Sequence, residues 1–172
     1  MPSFPWPEET GVWQTYDLHC HCGVIRWKMS ISPPLLESQA QGKGIYTAIL
    51  CDCSYCERNG VIACHPKAKN VEFTQGLVGR VTRVVIVWQH PDPSAQEHRG
   101  VYLQGMKKNP HWFCKLCGST LGSDLSWLME NVLHDEPRNT INLRMLKDVE
   151  PKQLTMKEVN YMKNAEPKYS VD

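Results

Sequence analysis

Seven of the eight cysteines in this 172-residue chain occur in three short clusters. The densest cluster has the spacing C-x-C-x-x-C, with thiols at Cys51, Cys53 and Cys56. A disulfide framework rarely needs three cysteines so close together. Thiolate is a soft ligand that suits zinc, and a short loop can direct several sulfurs at one point. The clusters therefore indicate metal binding through sulfur.

The other two clusters each supply a pair of cysteines. Cys114 and Cys117 have the C-x-x-C spacing of a zinc knuckle, and Gly118 lets the backbone turn so that amide N–H groups face the sulfurs. Cys20 and Cys22, on an extended backbone, would place both sulfurs on one face. The two pairs complement each other, so we expect one closed, structural zinc site with four cysteine ligands.

The three thiols of the densest cluster remain for a second zinc. Three protein ligands plus an open position are typical of catalytic zinc. The alternative is that Cys64, eight residues after Cys56, closes this second site. His19 and His21 bracket Cys20, and we expect them to be supporting or surface groups, with ligation by one of them as the alternative.

Three further side chains are candidates for orienting a substrate or moving a proton at the open centre. Tyr55 and Arg58 lie within and just after the C-x-C-x-x-C motif, and His111 precedes Cys114 by three residues. Each has a purely structural alternative. Tyr55 would pack in the core, Arg58 would be a surface charge, and His111 would only cap the knuckle.

The segments that position the cysteines and the three candidate side chains are predicted to form mostly short strands. Apolar residues alternate with polar ones from residue 25 to residue 31, and a second strand over residues 45–50 would deliver Cys51. Residues 81–88 are rich in β-branched side chains and predict the strongest strand. Residues 124–133 are ambiguous, with helical spacing. About eight short strands with little helix predict a mainly β or β-rich α+β fold. The other predicted strands cover residues 61–64, 71–74, 101–103, 111–113 and 141–145.

Length and composition indicate one globular domain with peripheral additions, since 41% of the residues are hydrophobic. We expect an N-terminal arm over residues 1–15, a zinc-binding domain over residues 16–160 and a C-terminal tail over residues 161–172. A formal charge of +1 gives no excess of positive charge that would attract nucleic acid or an anionic membrane, so neither is expected as a partner.

The compartment expected from the sequence is the cytoplasm. The N-terminus carries prolines and neither a basic start nor an apolar run, which does not fit a secretory signal. No stretch approaches the roughly 18 apolar residues of a membrane span. In a reducing compartment the cysteines are available as thiolates for metal. The oligomeric state is left open.

The order of the cysteine motifs resembles a known family. C-x-C, then C-x-C-S-x-C, then H-x-F-C-x-x-C-G-S is similar to the glutathione-dependent formaldehyde-activating enzymes, which share their zinc domain with centromere protein V. The resemblance covers about residues 16–160, and residues 141–146 and 155–157 resemble the final strands of that family. It implies a β-tent fold, a small all-β zinc architecture. It also implies a closed zinc at Cys20, Cys22, Cys114 and Cys117, and an open zinc at Cys51, Cys53 and Cys56.

The chain departs from the family pattern at a few positions. Asp52 stands where the family often has a polar or histidine residue, and residues 57–60 look more like a fungal-type branch. Cys64 is not a family ligand, and the loop over residues 91–100, which we expect to be mobile, is longer than in the minimal domain.

The expected function is carbon–sulfur chemistry. The resemblance implies a zinc-dependent carbon–sulfur lyase of the S-(hydroxymethyl)glutathione synthase type, with two zinc ions, a glutathione-like thiol and a carbonyl compound. One alternative is a non-enzymatic interaction module with two structural zincs, which needs the second site closed by protein ligands. The other is an open zinc used on a different thiol or carbonyl compound in specialised metabolism.

Overall fold

The structure is a computed structural model that describes residues 6–75, 98–160 and 162–164. Strands dominate these ranges, and the helical elements are short. In chain order the strands are β1 (Gln14–His19), β2 (Arg26–Ile31), β3 (Ala48–Cys51), β4 (Ile62–Cys64), β5 (Val71–Gln75), β6 (Arg99–Leu103), β7 (Pro110–Cys114), β8 (Thr120–Asp124), β9 (Asn139–Asn142) and β10 (Met156–Val159). The helices are α1 (Ser54–Asn59) and α2 (Ser126–Leu128), and α2 continues as a π-helical turn over Met129–Leu133.

The strands form two sheets. A three-stranded sheet has the order β1-β2-β5, and a seven-stranded sheet has the order β10-β3-β4-β9-β8-β7-β6. Neighbouring strands are antiparallel, except that β10 pairs with β3 in parallel. The prediction of a mainly β fold built from short strands is confirmed.

The main core is built from residues of both sheets. Alternation along β2 buries Trp27 and Met29 while Arg26 and Lys28 stay exposed, as expected for a strand with one face on the core. These side chains belong to the same buried cluster as Ile141 at the centre of the larger sheet. The burial of such large apolar side chains is the main source of stability in a domain of this size.

A second, smaller cluster lies around the end of β3. Ile49, Val61, Ala63 and Val159 are buried there, and partly buried side chains of the C-x-C-x-x-C motif pack against them. Residues on a strand alternate between its faces, so Cys64, next to Ala63, belongs to the main core instead. β4 therefore separates the main core from the wall that carries the three-cysteine cluster.

Most predicted strands are confirmed, with shifted ends. The strand predicted over residues 45–50 begins only at Ala48. The strand predicted over residues 141–145 ends at Asn142, because the Asn142 side chain accepts the N–H of Arg144 and starts a 3₁₀ turn. Residues 124–133, which the sequence left ambiguous, are helical from Ser126 to Leu133, whereas Asp124 ends β8.

The prediction of an extended backbone at residues 20–22 is wrong. These residues form the turn between β1 and β2, closed by a 2.8 Å hydrogen bond from the Gly23 N–H to the Cys20 carbonyl. The sequence also did not indicate α1, β1 or β8.

The strand predicted over residues 81–88 lies outside the described residues, as do residues 91–97 of the predicted loop. Arg99 and Gly100, the last two residues of that loop, already belong to β6. In the part of the chain that the structure describes, no helix is long and apolar enough to cross a membrane.

Candidate metal centres and the adjoining cavity

Four cysteine sulfurs meet where the β1–β2 turn approaches the end of β7. The Sγ atoms of Cys20 and Cys22 are 3.5 Å apart, and those of Cys22 and Cys114 are 3.7 Å apart. Together with Cys117 the four ligand atoms lie within 4.8 Å of one another. A zinc ion with Zn–S bonds of about 2.3 Å requires sulfur–sulfur separations of roughly 3.8 Å in a tetrahedron. The donor set therefore fits one zinc.

The backbone around this four-cysteine cluster holds the sulfurs in place. The Ile25 N–H points at the Cys20 sulfur at 3.4 Å, and the Gly118 N–H donates to the Cys114 carbonyl at 2.8 Å. Gly118 has a φ of +73°, which glycine adopts without strain, as the sequence suggested. Burial raises the pKa of Cys114 to about 12, so a bound dication is needed to keep this thiol ionised near neutral pH.

The three-cysteine cluster lies at the junction of β3 and α1. Cys51 is the last residue of β3, and Cys53 is the N-cap of α1, where its sulfur accepts the N–H of Cys56 at 3.4 Å. The Cys51 sulfur similarly accepts the N–H of Cys53 at 3.5 Å. The helix ends at Gly60, whose φ of +59° suits a glycine cap. A strand end and one helical turn thus bring the three sulfurs within 4.8 Å of one another.

The electrostatics of this cluster also fit a cation. Hydrogen bonds from the thiols of Cys51 and Cys56 hold the pKa of Cys53 far below its ordinary value. The bond to Cys53 raises the pKa of Cys51 to about 11, and bonds to Cys51 and Cys53 raise the pKa of Cys56 strongly. Without metal, one thiolate is therefore shared among three sulfurs. A zinc dication would offset two of the three negative charges if all three thiols ionised.

Neither alternative fourth ligand joins the three sulfurs. Among the residues that the structure describes, no other cysteine and no histidine, aspartate or glutamate brings a ligand atom into this group. The Cys64 sulfur lies in the main core, 3.3 Å from the Met29 sulfur. His19 and His21 lie beside the other cluster without joining it, as expected. The interpretation that Cys64 closes the second site is wrong, because β4 turns this side chain to its opposite face.

The three-cysteine cluster forms part of the wall of a cavity of about 620 Å³. None of the four ligands of the other cluster lines this cavity. Gly122 belongs to its wall, where any Cβ would collide with the Thr140 carbonyl. The lining that the larger sheet contributes is mostly small or apolar: Ile49, Cys51, Ala63, His111, Thr120, Gly122, Ser123, Thr140 and Val159.

All three predicted substrate-handling residues line this cavity. The rings of Tyr55 and His111 are 4.0 Å apart, and Tyr55 also stacks on Tyr102 at 5.8 Å. Burial lowers the pKa of His111 to about 4, so its imidazole is neutral near pH 7. Arg58 is exposed and donates to the Ser54 carbonyl at 3.2 Å. The sequence thus predicted the location of these side chains, and their roles remain predictions.

The sequence analysis missed Asp52, which lies between two of the cysteines. Its carboxylate accepts the backbone N–H groups of Met162 and Lys163 at 2.9 and 3.1 Å. The 3₁₀ turn Met162–Asn164 is thereby held against the three-cysteine loop and contributes to the cavity wall. No local pattern signals this contact, because the two segments are 110 residues apart in sequence.

His65 and Asn109 also line the cavity and were not singled out. His65 follows β4 and packs its ring against Trp6 at 4.8 Å. A signal for His65 existed in the sequence, because period-two alternation from Val61 through Ala63 places residue 65 on the same face. Asn109 lies just before β7, where the sequence carries no comparable signal.

Comparisons with known proteins add a likeness in fold. No family model matches the chain, and no curated protein matches it. A crystal structure of a Rhodobacter sphaeroides protein, determined as a Northeast Structural Genomics target, is similar with a TM-score of 0.51 and 21% sequence identity. The similarity covers 82% of this chain and 99% of that one. At this identity the likeness concerns the fold alone.

Proposed function

We propose that the three-cysteine cluster is a zinc centre with one position open to the cavity, and that the protein joins a glutathione-like thiol to a carbonyl compound or catalyses the reverse. This is the activity of a carbon–sulfur lyase of the S-(hydroxymethyl)glutathione synthase type. One observation carries the proposal: three sulfurs, with no fourth ligand atom among the described residues, line a cavity of about 620 Å³. The closed four-cysteine cluster lines no part of that cavity.

Zinc bound to three thiolates would carry a net negative charge, which makes it a weak Lewis acid toward water but a good acceptor for the sulfur of a thiol. A cavity beside such a centre suits thiol addition better than hydrolysis. The expected localisation of this chemistry is the cytoplasm, where thiols are kept reduced.

The proposed reaction needs a proton to move from sulfur to oxygen. The thiol sulfur forms a bond to the carbonyl carbon, the π electrons of the carbonyl move to its oxygen, and the proton lost by the thiol ends on that oxygen. Burial lowers the pKa of His111 and keeps its imidazole neutral, so one ring nitrogen is available to accept this proton and pass it to the oxygen. Tyr55, whose ring lies 4.0 Å from that of His111, can orient the imidazole. Arg58 is placed to attract an anionic group of the substrate.

The non-enzymatic module is not favoured, because it requires a fourth protein ligand at the second centre. The other alternative is that the open centre acts on a different thiol or carbonyl compound in specialised metabolism. This alternative involves the same reaction with a different substrate.

A substrate screen tests the proposal. Zinc-loaded protein is mixed with glutathione and a series of small aldehydes, and adduct formation is followed by NMR exchange between free and thiol-bound aldehyde. We expect acceleration over the uncatalysed reaction for at least one aldehyde, lost in Cys53→Ala and kept in Cys64→Ala. No acceleration with any aldehyde, combined with no binding of glutathione to the zinc-loaded protein, would contradict it.

A further inference from the structure

The cavity beside the three-cysteine cluster crosses most of the width of the larger sheet. Five neighbouring strands each contribute a residue to its lining: Ile49 (β3), Ala63 (β4), Thr140 (β9), Gly122 (β8) and His111 (β7). The four spacings between these strands, at about 4.8 Å each, correspond to about 19 Å. Formaldehyde, which has a single carbon atom, would occupy only a small part of such a cavity.

The wall of the cavity beside the three sulfurs is apolar. Ile49, Val61 and Val159 line the cavity, and they belong to the small buried cluster against which Cys51 and Cys56 pack. None of these three side chains carries a polar group. A substituent on the carbon that reacts with a metal-bound sulfur would therefore meet hydrocarbon close to the centre.

A second apolar surface lines the cavity where β8 leads into α2. Leu125 directly follows β8 and Leu128 is the last residue of α2, and both side chains are half-buried. We call Ile49, Val61, Val159, Leu125 and Leu128 the apolar wall. Pockets with such linings bind chiefly the apolar part of a ligand and use a few polar groups to orient the rest.

The charged residues of the lining are exposed, so they lie where the cavity meets solvent. Three of them are cations, Arg58, Lys108 and Lys163, and one is an anion, Glu57. This excess of positive charge suits a thiol that carries carboxylates, such as glutathione. Glutathione has no large apolar group, so its binding leaves the apolar wall unexplained.

We propose that the apolar wall receives a hydrocarbon substituent of the carbonyl substrate, which makes that substrate an aldehyde with an apolar chain of several carbon atoms rather than formaldehyde. The inference rests on the proposed function of the three-cysteine centre and specifies its second substrate. The bonds are those already described: sulfur adds to the carbonyl carbon, and the proton lost by the thiol ends on the oxygen. Each CH₂ group that moves from water to the wall should strengthen binding by about threefold.

A series of straight-chain aldehydes tests this inference. Zinc-loaded protein and glutathione are held constant, and kcat/KM for adduct formation is measured by NMR exchange with propanal, pentanal and heptanal. The carbonyl groups of these three aldehydes have nearly the same intrinsic reactivity, so differences in kcat/KM report on the chain. We expect kcat/KM to rise by at least about tenfold from propanal to heptanal.

Variants of the wall identify where the chain binds. Leu128→Gln introduces a polar side chain of similar size, and it should lower the ratio of kcat/KM for heptanal to that for propanal by at least about threefold. Val61→Thr keeps the shape of the side chain beside the sulfurs and should lower the same ratio. Leu103→Gln, at an exposed leucine of β6 outside the cavity lining, is the matched control and should keep the wild-type ratio.

Acceleration with formaldehyde alone, a wild-type ratio near one, or an unchanged ratio in both wall variants would overturn this inference and leave the proposed function standing. A series of straight-chain alkanethiols with formaldehyde as the fixed partner provides the other arm. If chain length raises kcat/KM on the thiol and not on the aldehyde, the wall receives the thiol and the inference fails. If no aldehyde reacts faster with the zinc-loaded protein than without it, the proposed function fails, and the inference fails with it.

Discussion

Cys53 combines two roles at the scale of the single residue. It contributes one of three clustered sulfurs, and the same sulfur caps α1 by accepting the Cys56 N–H at 3.4 Å. Cys53→Ala should therefore remove the zinc of the three-cysteine centre and abolish thiol binding. Loss of the cap should lower the free energy of unfolding by only about 1 kcal/mol, because the other zinc still ties the chain together. Zinc analysis and glutathione titration check the outcome.

Cys64→Ala is the matched control for that variant. Cys64 is completely buried against Met29 in the main core, so its loss should reduce the free energy of unfolding by about 1 kcal/mol. Both zinc ions and thiol binding should be retained. Loss of a zinc ion in Cys64→Ala would contradict the separation of the two sites by β4.

His111 gives the prediction that is specific to catalysis. His111→Phe preserves ring packing on Tyr55, which lies 4.0 Å away, and removes the group that moves the proton. We expect adduct formation to slow by about 10²–10⁴-fold, the usual contribution of one general acid–base group. The dissociation constant for glutathione should change little. A variant with weaker thiol binding and an unchanged rate constant would show that His111 only packs.

The residue types and spacings of the cysteine motifs were sufficient to predict which sulfurs come together in two clusters that could each hold a metal ion, because metal ligands that share a loop have short, recognisable spacing. Asp52 shows why other residues of the site escaped notice. Its importance comes from two backbone N–H groups near the C-terminus, and the sequence around Asp52 carries no trace of them.

At the scale of the element, the C-terminal segment completes the three-cysteine loop. β10 pairs in parallel with β3 and ends opposite Cys51, and the following turn is held by Asp52. Asp52→Ala removes two charge-assisted hydrogen bonds, together worth about 2 kcal/mol at a partly exposed site. We expect faster hydrogen exchange at Met162 and Lys163 and weaker zinc binding at the three-cysteine centre in competition with a chelator.

Asp52→Asn is the conservative comparison, since its amide oxygen can still accept these hydrogen bonds. It should lie between wild type and Asp52→Ala in both measurements. If Asp52→Ala leaves amide exchange and zinc affinity unchanged, β10 alone holds the segment and the carboxylate has no positioning role.

Local periodicity predicted most strands but neither α1 nor the turn at residues 20–22. α1 is only six residues long, too short for an amphipathic repeat, and it exists because Cys53 caps one end and Gly60 the other. The C-x-C pair at Cys20 lies in a tight turn, where the same spacing that suits a strand also brings two sulfurs together. Motifs this short can be placed only once their partners in the fold are known.

At the scale of the whole molecule, the four-cysteine cluster connects the smaller sheet to the larger one. Cys20 and Cys22 belong to the β1–β2 turn, and Cys114 ends β7, 92 residues after Cys22. Structural zinc can contribute on the order of 10 kcal/mol, which is comparable to the stability of an entire domain. Cys114→Ser should therefore unfold the protein or lower its Tm sharply. Full zinc content with an unchanged Tm in this variant would exclude a shared site.

The fold class could be predicted from composition and alternation, whereas the order of seven strands in one sheet could not. The pairing of β10 with β3 joins residues more than 100 positions apart, and the choice of such a partner depends on the packing of the complete chain. The pairing of Cys20 and Cys22 with Cys114 and Cys117 could be predicted from the sequence, because a structural zinc site needs four ligands and the chain offers one complementary pair.

The central claim is that one zinc is closed by four cysteines and the other keeps a position for a thiol. X-ray absorption at the zinc edge, together with zinc stoichiometry, measures this directly with and without glutathione. We predict two zinc ions per chain, an average of fewer than four sulfur ligands without glutathione, and a rise toward four when glutathione is added. Four protein sulfurs per zinc from the start, unchanged by glutathione, would contradict the account and leave a structural module.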